Sequence, residues 1–246
     1  VHDRPGLDGE RGKERNEAMK MWRRQIGRGF TLVEMLVVIT IIGILMGLLV
    51  PQISNAILQA RLTGTMNNGK RIVEAIIQQQ SDTVYTARII GFPKYGTTTV
   101  VTNNQFKDTA DFFRYLVTGE VMAVNWSFFT APGIPPATGA DSFTGTNHGW
   151  RMVADVTESY PETAPVLWTK NLSLSTIGEQ ITPRPNGIPN NLEDINPFGQ
   201  KGLVVVAKGA SAQKLIKDDL KIVAFTNIFI RATLDGTVLT NRVLVP

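Results

Sequence analysis

Few side chains in this 246-residue chain are equipped for chemistry. It has no cysteine, which removes disulfides, thiolate nucleophiles and Cys-ligated metals. Two histidines, His2 and His148, leave almost no material for a His-based metal site or a Ser-His-Asp triad, and His148, set among Gly and Asn, reads as a solvated loop residue. No G-x-S-x-G elbow or G-x-G-x-x-G turn is present. The stretch Gly64-Thr65-Met66-Asn67-Asn68-Gly69-Lys70-Arg71 approaches the phosphate-binding G-x-x-x-x-G-K-[ST] loop. Arg71 stands where a hydroxyl must hold Mg²⁺ and no strand precedes the first glycine, so the glycines read instead as a weak or bent point in a helix. Asn190, Asn191, Glu193, Asp194 and Asn196 offer oxygens without calcium-loop spacing and read as a polar loop. Asn125-Trp126-Ser127 and Asn171-Leu172-Ser173 match the glycosylation triplet, but both fall at expected strands and read as coincidence. An enzyme, a cofactor and a metal site are therefore not expected.

One charged residue is different in kind. Glu34 is the single charge in residues 30–50, FTLVEMLVVITIIGILMGLLV. A carboxylate without a partner at mid-bilayer costs about 2.5–3.5 kcal/mol, so this position calls for a cation. A cut between Gly29 and Phe30 would create an α-amino group one helical turn away, and a neighbouring subunit's amine could pair with Glu34. The alternative is that Glu34 sits near the headgroups of a monomeric anchor.

These residues must be positioned by a helix. Residues 30–50 would span about 31 Å as a helix, enough for a hydrocarbon core. Lys20, Arg23, Arg24 and Arg28 flank its start, which keeps the N-terminus cytoplasmic and places everything after Pro51 outside. No A-x-A-like site follows, unlike a cleaved secretory signal. Beyond Pro51, apolar residues at Ile53, Ile57, Leu58, Leu62, Met66, Ile72, Val73, Ile76 and Ile77 keep helical spacing and carry the helix to about Gln80. That is a rod of roughly 77 Å whose first half would project from a head and demand bilayer or neighbouring rods.

The head follows from residue 81. Short β-rich runs at residues 84–90, 97–101, 121–130, 151–156, 165–170 and 203–208 read as strands. Residues 109–117 read as a helix with Thr109 near its cap, and Asp235-Gly236 as a hairpin turn between residues 228–234 and 237–245. Residues 131–147 and 178–197, rich in Pro, Gly and Asn, read as long surface loops. Trp126, Phe128 and Phe129 read as core or subunit-interface aromatics. The fold class expected is α+β, a long helix packed on a mostly antiparallel sheet. The formal charge of +4 resides mainly in residues 1–29, which hold eight Lys/Arg against five Asp/Glu, so the remainder gives no footprint for nucleic acid.

The stretch GRG followed by FTLVEMLVVITIIGILMGLLVP resembles the cleavage and methylation motif of type IV pilins and type II secretion pseudopilins. The resemblance implies that a membrane prepilin peptidase cuts after Gly29 and methylates Phe30. It makes Glu34 the carboxylate that guides subunit docking and Pro51 the helix-kinking proline. It also places Gly43 and Gly47, a G-x-x-x-G pair, in a stretch that loosens on assembly. The implied fold is the pilin arrangement. The element Asn196-Pro197-Phe198-Gly199 leading into Gly202-Leu203-Val204-Val205-Val206 resembles the Asp-Pro-Trp-Gly turn of major pseudopilins, with two of the four residues changed and no matching calcium loop. Together with NNGK these elements are similar to large prepilin-type proteins numerous in Verrucomicrobia-like bacteria.

The organisation expected is a leader over residues 1–29, an assembly and membrane half over 30–50, an amphipathic half over 51–80 and an extracytoplasmic head over 81–246. Residues 1–18 lack the pattern of a prepilin leader and read as upstream sequence, with initiation at Met19 or Met21. The function expected is that of a pseudopilin in a type II secretion-like filament, held in the inner membrane. Its expected partners are prepilin peptidase, like subunits or other pseudopilins, and an assembly platform. A type IV pilus subunit for adhesion, motility or DNA uptake is the first alternative, and a monomeric membrane-anchored binding protein the second.

Overall fold

A computed structural model describes residues 29–82, 91–97, 104–221, 228–229, 233–234 and 237–246. The expected strand at 84–90, most of that at 97–101, the turn at Asp235-Gly236 and the leader up to residue 28 lie outside the described residues. The chain divides into two compact units, Val1–Asn55 and Ala56–Pro246.

The first helix, α1, runs over Leu32–Asp82 without interruption, two residues past the expected end, and Pro51 lies within it. In the first unit its apolar side chains are exposed, from Leu32 at 80 % to Val50 at 57 %. The reason is compositional: with apolar residues on every side, this stretch has no single face to turn inward.

In the second unit the same helix becomes one-sided. Leu62, Ile72, Val73 and Ile76 are fully buried, while Arg61, Lys70, Arg71 and Gln78 are exposed. These apolar residues meet a five-stranded antiparallel sheet whose strands lie in the order 212–216, 202–207, 165–169, 150–153 and 243–244. Its strands are β3 (Trp150–Val153), β4 (Pro165–Thr169), β5 (Gly202–Ala207), β6 (Ala212–Ile216) and β9 (Val243–Leu244). Two short pairs complete the described strands: β1 (Lys94–Tyr95) parallel to β2 (Gln105–Phe106), and β7 (Thr233–Leu234) antiparallel to β8 (Thr237–Val238).

The sheet's register sorts its residues into two faces, because successive side chains alternate. Trp150 pairs with Thr169, Met152 with Leu167 and Leu167 with Val206, which puts these on the helix side. Contact is close there: a Cβ at Gly69 would lie 2.5 Å from the Trp150 ring, and one at Gly202 would lie 2.9 Å from Leu62. Trp168, paired with Val205, points the other way and meets Phe229 edge-on at 5.3 Å. Its indole N–H donates to the Leu172 carbonyl at 3.1 Å. Every residue of β4 and β5 is buried, so these two strands are covered on both faces. Their continuous apolar sequences PVLWT and GLVVVA match that double burial.

The second helix, α2 (Thr109–Thr118), buries Phe112, Phe113 and Leu116. Thr109 lies beside the cap, as expected; the cap is Asp108, whose carboxylate accepts the Asp111 N–H at 2.8 Å, while the Thr109 hydroxyl donates to the Leu244 carbonyl. The expected strand at 121–130 is not formed. Its second half is instead a 3-10 turn, Trp126–Phe129, because Phe129 swings into the core and stacks on Phe113 at 4.6 Å. The long loops are pinned in place. Arg114 donates to the Ala140 and Phe143 carbonyls, and the Asn196 amide donates to the Gly133 carbonyl, joining the two loops.

Candidate functional site

The residues singled out for processing and assembly lie within the first unit, Gly29 and Phe30 just before α1, Glu34 in its first turn and Gly43, Gly47 and Pro51 further along it. A side chain at Gly29 would meet nothing within 4 Å, and Phe30 is 72 % exposed, so the peptide bond between them is open. Helix begins two residues later.

Thr31 and Glu34 form a reciprocal cap at that start. The Glu34 carboxylate accepts the Thr31 backbone N–H and the Thr31 hydroxyl, both at 2.8 Å, and the Thr31 hydroxyl oxygen accepts the Glu34 N–H at 3.2 Å. This is the S/T-x-x-E box that satisfies otherwise orphaned donors of a first turn. Glu34 therefore has partners within its own chain, and Thr31, absent from the sequence reading of this site, supplies them. The signal was in the sequence, as Thr-Leu-Val-Glu immediately before an apolar run.

The remaining polar groups of the apolar stretch are also satisfied locally. The Thr40 hydroxyl donates to the Leu36 carbonyl at 2.7 Å and the Ser54 hydroxyl to the Val50 carbonyl at 3.2 Å. Such back-bonding lets hydroxyls sit in an apolar environment. Pro51 lacks an N–H, so the carbonyl four residues earlier, at Gly47, loses its helical partner. Gly43 and Gly47 have open space where a side chain would be. Among the described residues α1 is the one helix long and apolar enough to cross a membrane, with a mean hydropathy of 2.7 over its most apolar window and none of that window buried.

In the second unit the candidate chemical groups turn out to be structural. The P-loop-like octapeptide is continuous helix, and Gly69 is the slot that admits Trp150. His148, expected in solvent, is fully buried against Phe113 and Phe143. Burial, reinforced by Lys170 and Arg151 nearby, pushes its imidazole down to about 3. Asn171 is also buried, its amide spent on the carbonyls of Gly199 and Gly202, whereas Asn125 precedes the 3-10 turn without a side-chain cap bond. The side-chain amides of the polar loop at 190–196 point their nitrogens at separate partners. Asn190 donates to Thr182, Asn191 to Ser173 and Glu179, and Asn196 to Gly133. No group of three or more His, Asp or Glu side chains placed to hold a metal occurs among the described residues. Trp126 packs on Phe143 at 5.0 Å, and Phe128 lies under the Arg71 guanidinium at 5.0 Å. These aromatics belong to the core and its margin.

Compared with known families, residues 27–50 match the model of the prokaryotic N-terminal methylation motif. No curated protein and no solved structure matches the chain. The matched segment covers the open Gly29–Phe30 bond, the Thr31–Glu34 cap and the apolar half of α1. The chain thus carries a prepilin motif on a long apolar helix followed by an antiparallel sheet, an α+β architecture consistent with the type IV pilin-like family, whose members are structural.

Proposed function

We propose that this chain is a pseudopilin, a structural subunit of a type II secretion-like filament. It is cleaved after Gly29 by prepilin peptidase, N-methylated at Phe30 and assembled through its apolar helix. The observation that carries the reading is the coincidence of the methylation motif at 27–50 with apolar side chains that the folded chain leaves uncovered. Cleaved subunits store in the inner membrane, with residues 1–29 removed, 30–50 spanning, 51–80 leading out and the head extracytoplasmic. Like subunits or other pseudopilins then replace lipid around the helix.

Glu34 and Thr31 act in sequence in this scheme. Within the monomer Thr31 supplies two donors to the carboxylate, which lowers the cost of holding Glu34 in the membrane. On docking, the methylated amine of a neighbouring Phe30 competes for it. Pro51 and the Gly43–Gly47 stretch provide weak helical bonding where the helix loosens. The secretion assignment is supported by the Asn196-Pro197-Phe198-Gly199 turn, with Gly199 at a left-handed φ of 55°, leading into β5 as in the pseudopilin element it resembles.

Co-expression with a prepilin peptidase tests the processing step. The mature product begins at N-methylated Phe30, Gly29→Ala abolishes it, and Glu34→Ala is cleaved but assembles poorly; an unprocessed wild-type chain would overturn the proposal. A deletion strain then tests the assignment. Loss of exported proteins with surface fibres retained supports secretion, and loss of fibres with export intact makes the chain a pilus subunit instead.

A further inference from the structure

His148 occupies a position that tolerates only a neutral ring. It is fully buried, stacked on Phe143 with centroids 5.7 Å apart and met edge-on by Phe113 at 5.4 Å. Nδ1 accepts the Trp150 backbone N–H at 3.3 Å, and Nε2 has no partner. The acceptor role of Nδ1 fixes the mobile proton on Nε2. A second proton has to enter at Nδ1, and it cannot do so while Trp150 donates there.

The charged groups around the ring offer such a proton no compensation. Lys170 donates its ammonium to the Gly145 carbonyl, and Arg151 donates to the Lys170 carbonyl; both are cations acting on the imidazole. The carboxylates of the same region act on arginines rather than on the imidazole. From α2, Asp111 pairs with Arg114 at 2.6 Å, and Glu193 acts on Arg151. Trp150, the residue that His148 holds, is the one whose ring fills the slot over Gly69.

We propose that His148 is an acid-release latch: a proton taken up there breaks the hold on Trp150, opens the aromatic cluster of Phe113, Phe129 and Phe143, and loosens the seat of the sheet on α1 at Gly69. The latch is a property of the second unit and stands without the filament reading; its use by a filament exposed to external acid rests on that reading.

The sign follows from the depressed imidazole. The folded state binds this proton at about 3 and the unfolded chain at about 6.5, so stability is complete above 6.5 and is lost progressively as pH falls from 6.5 towards 3. The test uses the full chain in detergent, unfolded by denaturant at pH 7.5 and at pH 5. The wild-type unfolding constant rises about 30-fold over that interval through this group. His148→Gln keeps an acceptor for the Trp150 N–H but cannot ionise, and it lacks that rise. Equal pH dependence in the two proteins would overturn the latch. A second measurement does not depend on the variant folding. In the wild type, the His148 ring signals followed by NMR stay unshifted until the near-ultraviolet circular dichroism of the aromatic cluster collapses, whereas reversible titration near 6.5 in the folded protein would also overturn it.

Discussion

Along α1, the large apolar residues between 35 and 50 keep from 43 % to 70 % of their surface exposed, whereas Leu62, Ile72, Val73 and Ile76 have none. Both stretches are helical and rich in Leu, Ile and Val, so neither propensity nor apolar content separates them. Spacing does. Between 61 and 77 the apolar residues alternate with Arg61, Asn68, Lys70 and Arg71 and define a face, and that face meets a sheet. Between 35 and 50 there is no polar side to spare. A helix of that kind can be covered only by something that surrounds it, such as lipid or copies of itself. The glycines repeat the contrast: Gly69 fits the ring of Trp150, whereas Gly43 and Gly47 face open space.

That contrast can be broken experimentally, and the largest effect is expected at Gly69. Gly69→Val forces a branched side chain into the Trp150 ring and destabilises the head by about 3 kcal/mol. Gly43→Val leaves head stability within about 0.5 kcal/mol, as for surface changes remote from the core. Denaturant unfolding followed by tryptophan fluorescence measures both, and equal effects would remove the distinction between the two halves. Next in size is Lys208, whose ammonium donates to the Glu158 and Tyr160 carbonyls and pairs with Glu162 at 2.8 Å. Lys208→Met leaves these acceptors unpaired and costs about 1–3 kcal/mol in the same assay. The smallest effect belongs to the exposed half: Thr31→Val removes the cap, weakening the first turn by about 1 kcal/mol. Amide exchange in micelles would register it as faster exchange confined to the first turn of α1, with head amides unchanged.

The parts of this molecule that were legible in its sequence are those where one physical signal acts alone. The helix end was placed within two residues because apolar spacing persists to Ile77, and β4 and β5 were located because short β-branched and apolar runs stand between turn residues. Legibility failed where two explanations share one composition. Residues 121–130 have the side chains of a strand, yet the aromatic partners Phe113 and Phe143 draw Phe129 inward and leave Trp126–Phe129 as a 3-10 turn. His148 lies in a Gly/Asn stretch that looks solvated, and only the arrival of two phenylalanines from distant positions buries it. At the processing segment the motif is readable in full, but a carboxylate in an apolar run calls equally for a neighbouring amine and for a local cap, and Thr31, three residues away, supplies the cap.

The double covering of β4 and β5 limits how this head can meet other molecules. A sheet with one bare side offers a broad, rigid, evolvable platform, and here that platform is spent on holding loops down. Any partner that meets the head over these two strands would meet loops, which are rich in glycine, proline and asparagine and of a kind that tolerates change. Diversity among such subunits would then accumulate as loop length and loop sequence over a constant inner frame, much as interchangeable tips are fitted to one shaft.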